Sequence, residues 1–252
     1  MAAGSKEQPG TRPRMSVDLR GIGVTLAGRA VLRDVTARLA EGRIGIVGRN
    51  GSGKTTLARV IAGLIVPDAG DARTFGIDMA KDRRAALKDV GIIFQNPDHQ
   101  IIFPTVIEEI AFGLAQQGLR QSQAEAEAQQ MLVRFGKAHW ADAATHSLSQ
   151  GQKQLLCLMS VLAMRPGVIV MDEPFSGLDI PTRLQLMRYL DGIAAQVVLV
   201  THDPAQVRGF DRILWLEGGR LIADGPPAQV LPAFEAQMLD WGGMDDLAHL
   251  AH

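Results

Sequence analysis

Gly48-Arg49-Asn50-Gly51-Ser52-Gly53-Lys54-Thr55, followed by Thr56, satisfies the spacing G-x-x-x-x-G-K-[ST] at every required position. The chemistry open to such a stretch is the cradling of a polyphosphate. Its glycines let the backbone curl round an anion without Cβ clashes, and the helix that follows points unpaired N–H groups and its positive dipole end at the same spot. Lys54 would then reach the β- and γ-phosphates of a nucleotide, and Thr55 would offer its hydroxyl to Mg²⁺.

Other polar residues stand just beyond apolar runs. Gln95 follows Val90-Gly91-Ile92-Ile93-Phe94, Asp172-Glu173 follows Val168-Ile169-Val170-Met171, and Thr201-His202-Asp203 follows the run 197–200. Open parallel sheets bind ligands outside the carboxyl ends of their strands, so Gln95, Asp172, Glu173 and His202 can converge on one nucleotide. Transfer of a phosphoryl group to water needs the phosphate charge held, a metal, an oriented water and a proton acceptor. Asp172 suits the metal, directly or through water, alongside Thr55. Glu173, ahead of the restricting Pro174, suits the positioning or deprotonation of the water. Gln95 can touch both metal and water, and His202 can hydrogen-bond the γ-phosphate.

The elements that must position these residues are legible around them. Residues 43–47 read as a buried strand feeding the loop, and Leu57, Val60, Ile61 and Leu64 give the next helix an apolar face. Residues 17–39 alternate as short extended segments, which predicts a small antiparallel sheet on the edge of the core. Thr105-x-x-Glu108 and Ser149-x-x-Gln152 are capping boxes that open helices, the second with Leu155, Leu158, Met159 and Leu162 as its buried face. Residues from 121 to about 135 form another helix by propensity. Apolar runs at 90–94, 168–171 and 197–200 lack alternation, as strands covered on both faces do. Residues 213–222 predict a hairpin, and a short helix follows Pro226-Pro227.

The fold class that results is α/β, a phosphate-loop core with a mainly parallel sheet, an edge antiparallel β subdomain and an inserted helical subdomain. We place a nucleotide-binding core at 16–96 and 168–225, the helical subdomain at 97–167 and a carboxyl-terminal extension at 226–252. Residues 1–15 read as unfolded. Within 252 residues, a net charge of -1 argues against a nucleic-acid partner. The single cysteine, Cys157, cannot form an internal disulfide and lies in a Leu- and Met-rich run, which points to packing in a reducing compartment. No apolar stretch is long enough to cross a bilayer and the amino terminus has no hydrophobic signal region, so work at a membrane would require another chain.

In chain order, the loop at Gly48, Gln95, Leu148-Ser149-Gln150-Gly151-Gln152, Asp172-Glu173, Ser176-Gly177-Leu178-Asp179 and His202 resemble the motif set of the ABC-type ATPases. The resemblance spans about residues 16–225. It implies ATP and Mg²⁺ as cofactors, and a head-to-tail dimer in which Ser149, Gly151 and Gln152 of one subunit close over the γ-phosphate held by the other. It adds Asp179 to the nucleotide-binding set. It leaves a homodimer or a pairing with a related second ATPase open. Two positions depart from the family's pattern: Gln150 stands where glycine is usual, and no aromatic in 16–42 is present to stack on adenine, Leu26 occupying about that place. A leucine offers no π-face, so loose base selectivity is expected.

Phe94-Gln95-Asn96-Pro97-Asp98-His99-Gln100, with Phe103-Pro104-Thr105-Val106 and Glu108-Glu109-Ile110-Ala111-Phe112-Gly113, is similar to the ATPases of energy-coupling-factor importers, in wording most like those for biotin, with cobalt or nickel next. That resemblance implies a transmembrane coupling protein contacting the chain near Asp98-Gln100, a separate membrane substrate-binding subunit, and a peripheral place on the cytoplasmic face of a prokaryotic cell membrane. A soluble ABC ATPase acting in assembly, such as iron–sulfur cluster biogenesis, is the alternative. A DNA-repair ATPase would need a long heptad insertion between Gln95 and Ser149, which is absent.

Overall fold

The computed structural model describes residues 17–86 and 88–242; the segment 1–15 and the last ten residues lie outside the described residues. In order come β1 (Val17–Leu26), β2 (Arg29–Leu39), β3 (Arg43–Val47), α1 (Lys54–Ile61), β4 (Ala69–Thr74), β5 (Ile77–Asp78) and the single turn α2 (Arg83–Ala86). Next are β6 (Val90–Ile93), α3 (Val106–Gln116), α4 (Gln121–Arg134), α5 (Gln150–Ala163), β7 (Val168–Asp172) and α6 (Ile180–Asp191). The described chain ends with β8 (Gln196–Val200), β9 (Arg212–Glu217), β10 (Arg220–Gly225) and α7 (Pro227–Gly242).

A six-stranded sheet runs β10-β9-β3-β8-β7-β6, parallel throughout except for the antiparallel hairpin β9–β10. The antiparallel sheet β2-β1-β4-β5 stands apart from it. Side chains alternate across a strand, and here both faces are covered. Ile44, Ile46, Val168, Val170, Val198 and Val200 join one core with α1 and the antiparallel sheet, while Ile169, Met171, Val197, Leu199 and Ile213 join a second with α3 to α7. That division explains why the parallel strands show no polar alternation in sequence. It also sandwiches α1, and with it the loop it grows from, between the two sheets.

Both expected capping boxes shape the helical region. Gln152 Oε1 accepts the Ser149 N–H at 2.8 Å and Ser149 Oγ accepts the Gln152 N–H at 3.4 Å. Glu108 accepts the Thr105 N–H at 3.2 Å and its hydroxyl at 2.6 Å. Helix α5 is buried on more than the expected face, since Leu156, Cys157 and Val161 are enclosed as well.

Two elements differ from expectation. Helix α6 gave little sequence signal because Ile180 and Leu184 are turned outward, 64% and 46% exposed, and only Leu186 and Leu190 are buried. Helix α7 is 16 residues long rather than short, and continues through Pro232. Its Val230, Leu231 and Phe234 are buried, with the Phe234 ring edge-on to Trp215 of β9 at 5.6 Å, so packing outweighs the proline.

Candidate active site

Strand β3 delivers the loop 48–53, and α1 starts at Lys54 with Gly53 as its N-cap in a left-handed conformation, φ 104°. No side chain caps this helix and no acidic residue lies in its first turn, so its amides are available to an anion. A Cβ on Gly48 would stand 2.1 Å from the Leu216 carbonyl oxygen, which is why only glycine fits where the loop crosses β9. The Lys54 ammonium is buried and donates to the carbonyls of Gly48 and Arg49, each at 2.8 Å. Burial pushes its pKa down, opposed by the charges of Glu173, Asp172 and Glu217.

At the carboxyl end of β7, Asp172 is buried and accepts the Thr55 hydroxyl at 3.0 Å. Desolvation raises its pKa, the Thr55 hydrogen bond opposing and the neighbouring Glu173 adding to the rise. Glu173 adopts φ 47°, a left-handed backbone that costs a non-glycine residue roughly 1–2 kcal/mol. Its N–H is held by the Val200 carbonyl at 3.0 Å. The turn points its carboxylate between Lys54 and His202: Oε1 lies 3.9 Å from Lys54 Nζ and Oε2 lies 3.0 Å from His202 Nδ1. His202 thus pairs directly with Glu173 across the β7 and β8 strand ends. A cleft of about 500 Å³ is lined by Leu26, Val31, Asn50, Gly51, Gly53, Lys54, Thr55, Thr56, Gln95 and Glu173. Gln95 Nε2 reaches Ser176 Oγ at 3.4 Å.

Ser149, Gly151 and Gln152 are expected over the γ-phosphate held by a second subunit, and Asp179 within the nucleotide-binding set. Ser149, Gly151, Gln152 and Asp179 are not among the described residues lining that cleft. Gly151 instead abuts α6, where a Cβ would stand 2.3 Å from Thr182 Cγ2. Asp179 caps α6 by accepting the Thr182 N–H at 2.8 Å, and its hydrogen bonds from Thr182 hold its pKa below the usual carboxylate value. The loop after Gln95 is bound to α5: Lys153 Nζ meets Asp98 Oδ1 at 2.7 Å, and Gln154 Nε2 donates to the Phe94 carbonyl at 3.3 Å. Gln100 accepts the Phe94 N–H at 3.2 Å, so it folds back on the strand end.

Residues 32–176 match the family model described as ABC transporter. The chain belongs to the ABC transporter family. It is an ATP-binding ABC ATPase, whose hydrolysis of ATP drives transport. It is 56% identical over 223 residues to the biotin transport ATP-binding protein BioM of Rhodobacter capsulatus, covering 88% of this chain and 95% of that one. Its identity to the energy-coupling factor transporter ATP-binding protein EcfA1 of Bacillus subtilis is 37% over 211 residues, 81% of this chain and 75% of the relative. Among solved structures, cbiO1 of Clostridium perfringens, part of the ABC transporter complex cbiONQ, superposes with a TM-score of 0.78 at 27% identity, covering 88% and 93% of the two chains.

Several residues that support this ABC site carry no local sequence signal. The turn between β9 and β10 sits against the loop, with the Gly219 N–H donating to the Ser52 carbonyl at 3.0 Å. Arg43, the first residue of β3, donates to the carbonyls of Leu190, Ile193 and Ala195 at 2.8, 2.7 and 3.1 Å, closing the carboxyl end of α6. Buried Glu109 accepts the N–H groups of Ile102 and Phe103 at 2.8 and 2.9 Å and fixes the loop ahead of α3. The first two join positions far apart in sequence, and the third ties a loop to the helix that follows it, so periodicity cannot reveal them.

Proposed function

We propose that this chain is the ATP-hydrolysing subunit of an energy-coupling-factor importer for biotin. The observation that carries the solute is the 56% identity to a biotin transport ATP-binding protein across nearly the whole of that relative. The loop amides and Lys54 bind the phosphates and offset their charge. Thr55 and Asp172 would hold Mg²⁺: a buried carboxylate within 3.0 Å of a hydroxyl, its charge disfavoured by desolvation, suits a cation that shares its remaining ligands with phosphate oxygens and water. Mg²⁺, when bound, neutralises charge developing on the phosphate oxygens.

Glu173 orients the attacking water and receives its proton, its carboxylate held in place by the left-handed backbone and by His202. With Nδ1 at Glu173, the His202 Nε2 is the ring atom that remains for a phosphate oxygen, which it can bond when it carries a proton to donate. Gln95, at the mouth of the same cleft, senses metal and water. Ser149, Gly151 and Gln152 serve a second subunit's nucleotide, a reading supported by a helix start that lies off the chain's own cleft.

The transmembrane partner docks beside Asp98-Gln100. In support, Ile102 is 72% exposed, and the tilted Phe103–Phe112 pair, ring centroids 4.9 Å apart, follows the same loop. We place the chain peripherally on the cytoplasmic face, supported by its likeness to biotin transport and energy-coupling factor ATP-binding proteins; no helix among the described residues is long and apolar enough to cross a membrane. The test is uptake of labelled biotin by cells that co-express the chain with its membrane partners. Uptake should require this chain and be lost in Lys54→Ala; biotin uptake that proceeds equally without it would refute the assignment.

A further inference from the structure

The far end of α7 reaches the phosphate loop. The Arg49 guanidinium carbon lies 4.1 Å from the centroid of the Trp241 ring, and Glu217 Oε1 holds the same guanidinium at 3.4 Å. Arg49 matters to the loop's shape, because its carbonyl accepts both the Lys54 ammonium at 2.8 Å and the Ser52 N–H at 3.2 Å. Trp241 is delivered by a helix anchored earlier through buried Phe234 and through the ion pair of Arg208 with Glu235. It also lies beyond the residues 32–176 that carry the family match.

We propose that α7 is a strap on the phosphate loop, with Trp241 acting through Arg49 as a positioning residue for nucleotide binding. A guanidinium held by an aromatic face and a carboxylate cannot swing freely. Its own backbone, which bends the loop and holds Lys54, is steadied with it, so a nucleotide meets a loop that needs less ordering. Trp241 touches no reacting atom. Its loss should therefore weaken binding and leave the chemical step alone. The proposal rests on reading residues 48–56 as the nucleotide loop.

The test compares the full wild-type chain with Trp241→Phe and Trp241→Leu, using calorimetric titration with ATP and Mg²⁺, then KM and kcat in the assembled transporter. Trp241→Leu should raise Kd and KM about two- to fivefold with kcat unchanged, and Trp241→Phe, which keeps a π-face, should fall between it and wild type. In an Arg49→Met background the Trp241→Leu change should add nothing. Wild-type affinity in Trp241→Leu, or a full additional loss in the Arg49→Met background, would overturn the strap. A wild-type chain that fails to bind ATP would instead overturn the loop reading, and the strap with it. Thermal midpoints of both Trp241 variants equal to that of the wild type would separate a loop effect from loss of fold.

Discussion

Gly151→Ala should change sign with its neighbour. A Cβ at this position stands 2.3 Å from Thr182 Cγ2, with Thr182 Cβ and Oγ1 at 3.6 and 3.7 Å, so the overlap is with one methyl. Carbon atoms rest about 3.5–4.0 Å apart, so Thr182 must turn its methyl away or α6 must slide by more than an ångström. Overpacking of this kind costs about 1–3 kcal/mol, while replacing glycine by alanine within a helix returns about 0.5–1 kcal/mol. The net loss is about 1–2 kcal/mol, a fall of about 2–8 °C in Tm for a chain of this size. Serine at 182 lacks Cγ2. In a Thr182→Ser background the alanine should therefore be neutral or stabilising. Thermal unfolding of the isolated subunit, followed by circular dichroism for both single variants and the double variant, reads this directly. An equal fall in Tm in both backgrounds, or no fall in either, would refute the packing argument. ATP turnover by the transporter should stay impaired in the double variant, because the added methyl remains on the turn proposed to meet the partner's phosphate.

Glu173→Gln should preserve ATP binding and slow turnover by about two orders of magnitude; near-normal hydrolysis by the assembled transporter would move the proton acceptor elsewhere. Asp98→Lys and Lys153→Asp should each reduce ATP-driven uptake, and the charge-swapped pair should recover it, whereas a swap no better than the singles would deny the contact a part in coupling. Burial pushes the Cys157 thiol up to about 12, so maleimide at pH 8 should label it only after unfolding. Because that pKa is raised above its ordinary 9.0, the thiol's contribution to stability is present below pH 9.0 and is lost as pH rises through about 12, a dependence that Cys157→Ala should remove. Leu26 and Val31 line the cleft with no aromatic among the described lining residues, so ATP and GTP should bind with comparable affinity in parallel titrations.

The parallel strands and the phosphate loop were legible in sequence because each carries its signal locally: an uninterrupted apolar run, or glycines at fixed spacing before a lysine. The capping boxes at Thr105 and Ser149 were legible for the same reason. Helix α6 was not, since its exposed Ile180 and Leu184 blur the stripe that Leu186 and Leu190 would otherwise draw. The length of α7 was hidden by Pro232, whose local penalty is outweighed by contacts with β9. At the site, the strand-end positions of Glu173 and His202 could be inferred, but their mutual hydrogen bond depends on the adjacency of β7 and β8, which strand sequences do not announce. The supports contributed by Arg43 and the turn at Gly219 are likewise products of topology.

Helix α6 begins at the Asp179 cap, beside the start of α5, and its other end is gripped by Arg43, where the strand leading to the phosphate loop begins. Its 12 residues therefore act as a gauge block between the start of α5 and the root of β3. Adding or removing one residue would rotate one end against the other by about 100° and alter the span by about 1.5 Å. Drift in the letters of its outward face should be tolerated, while its count should hold.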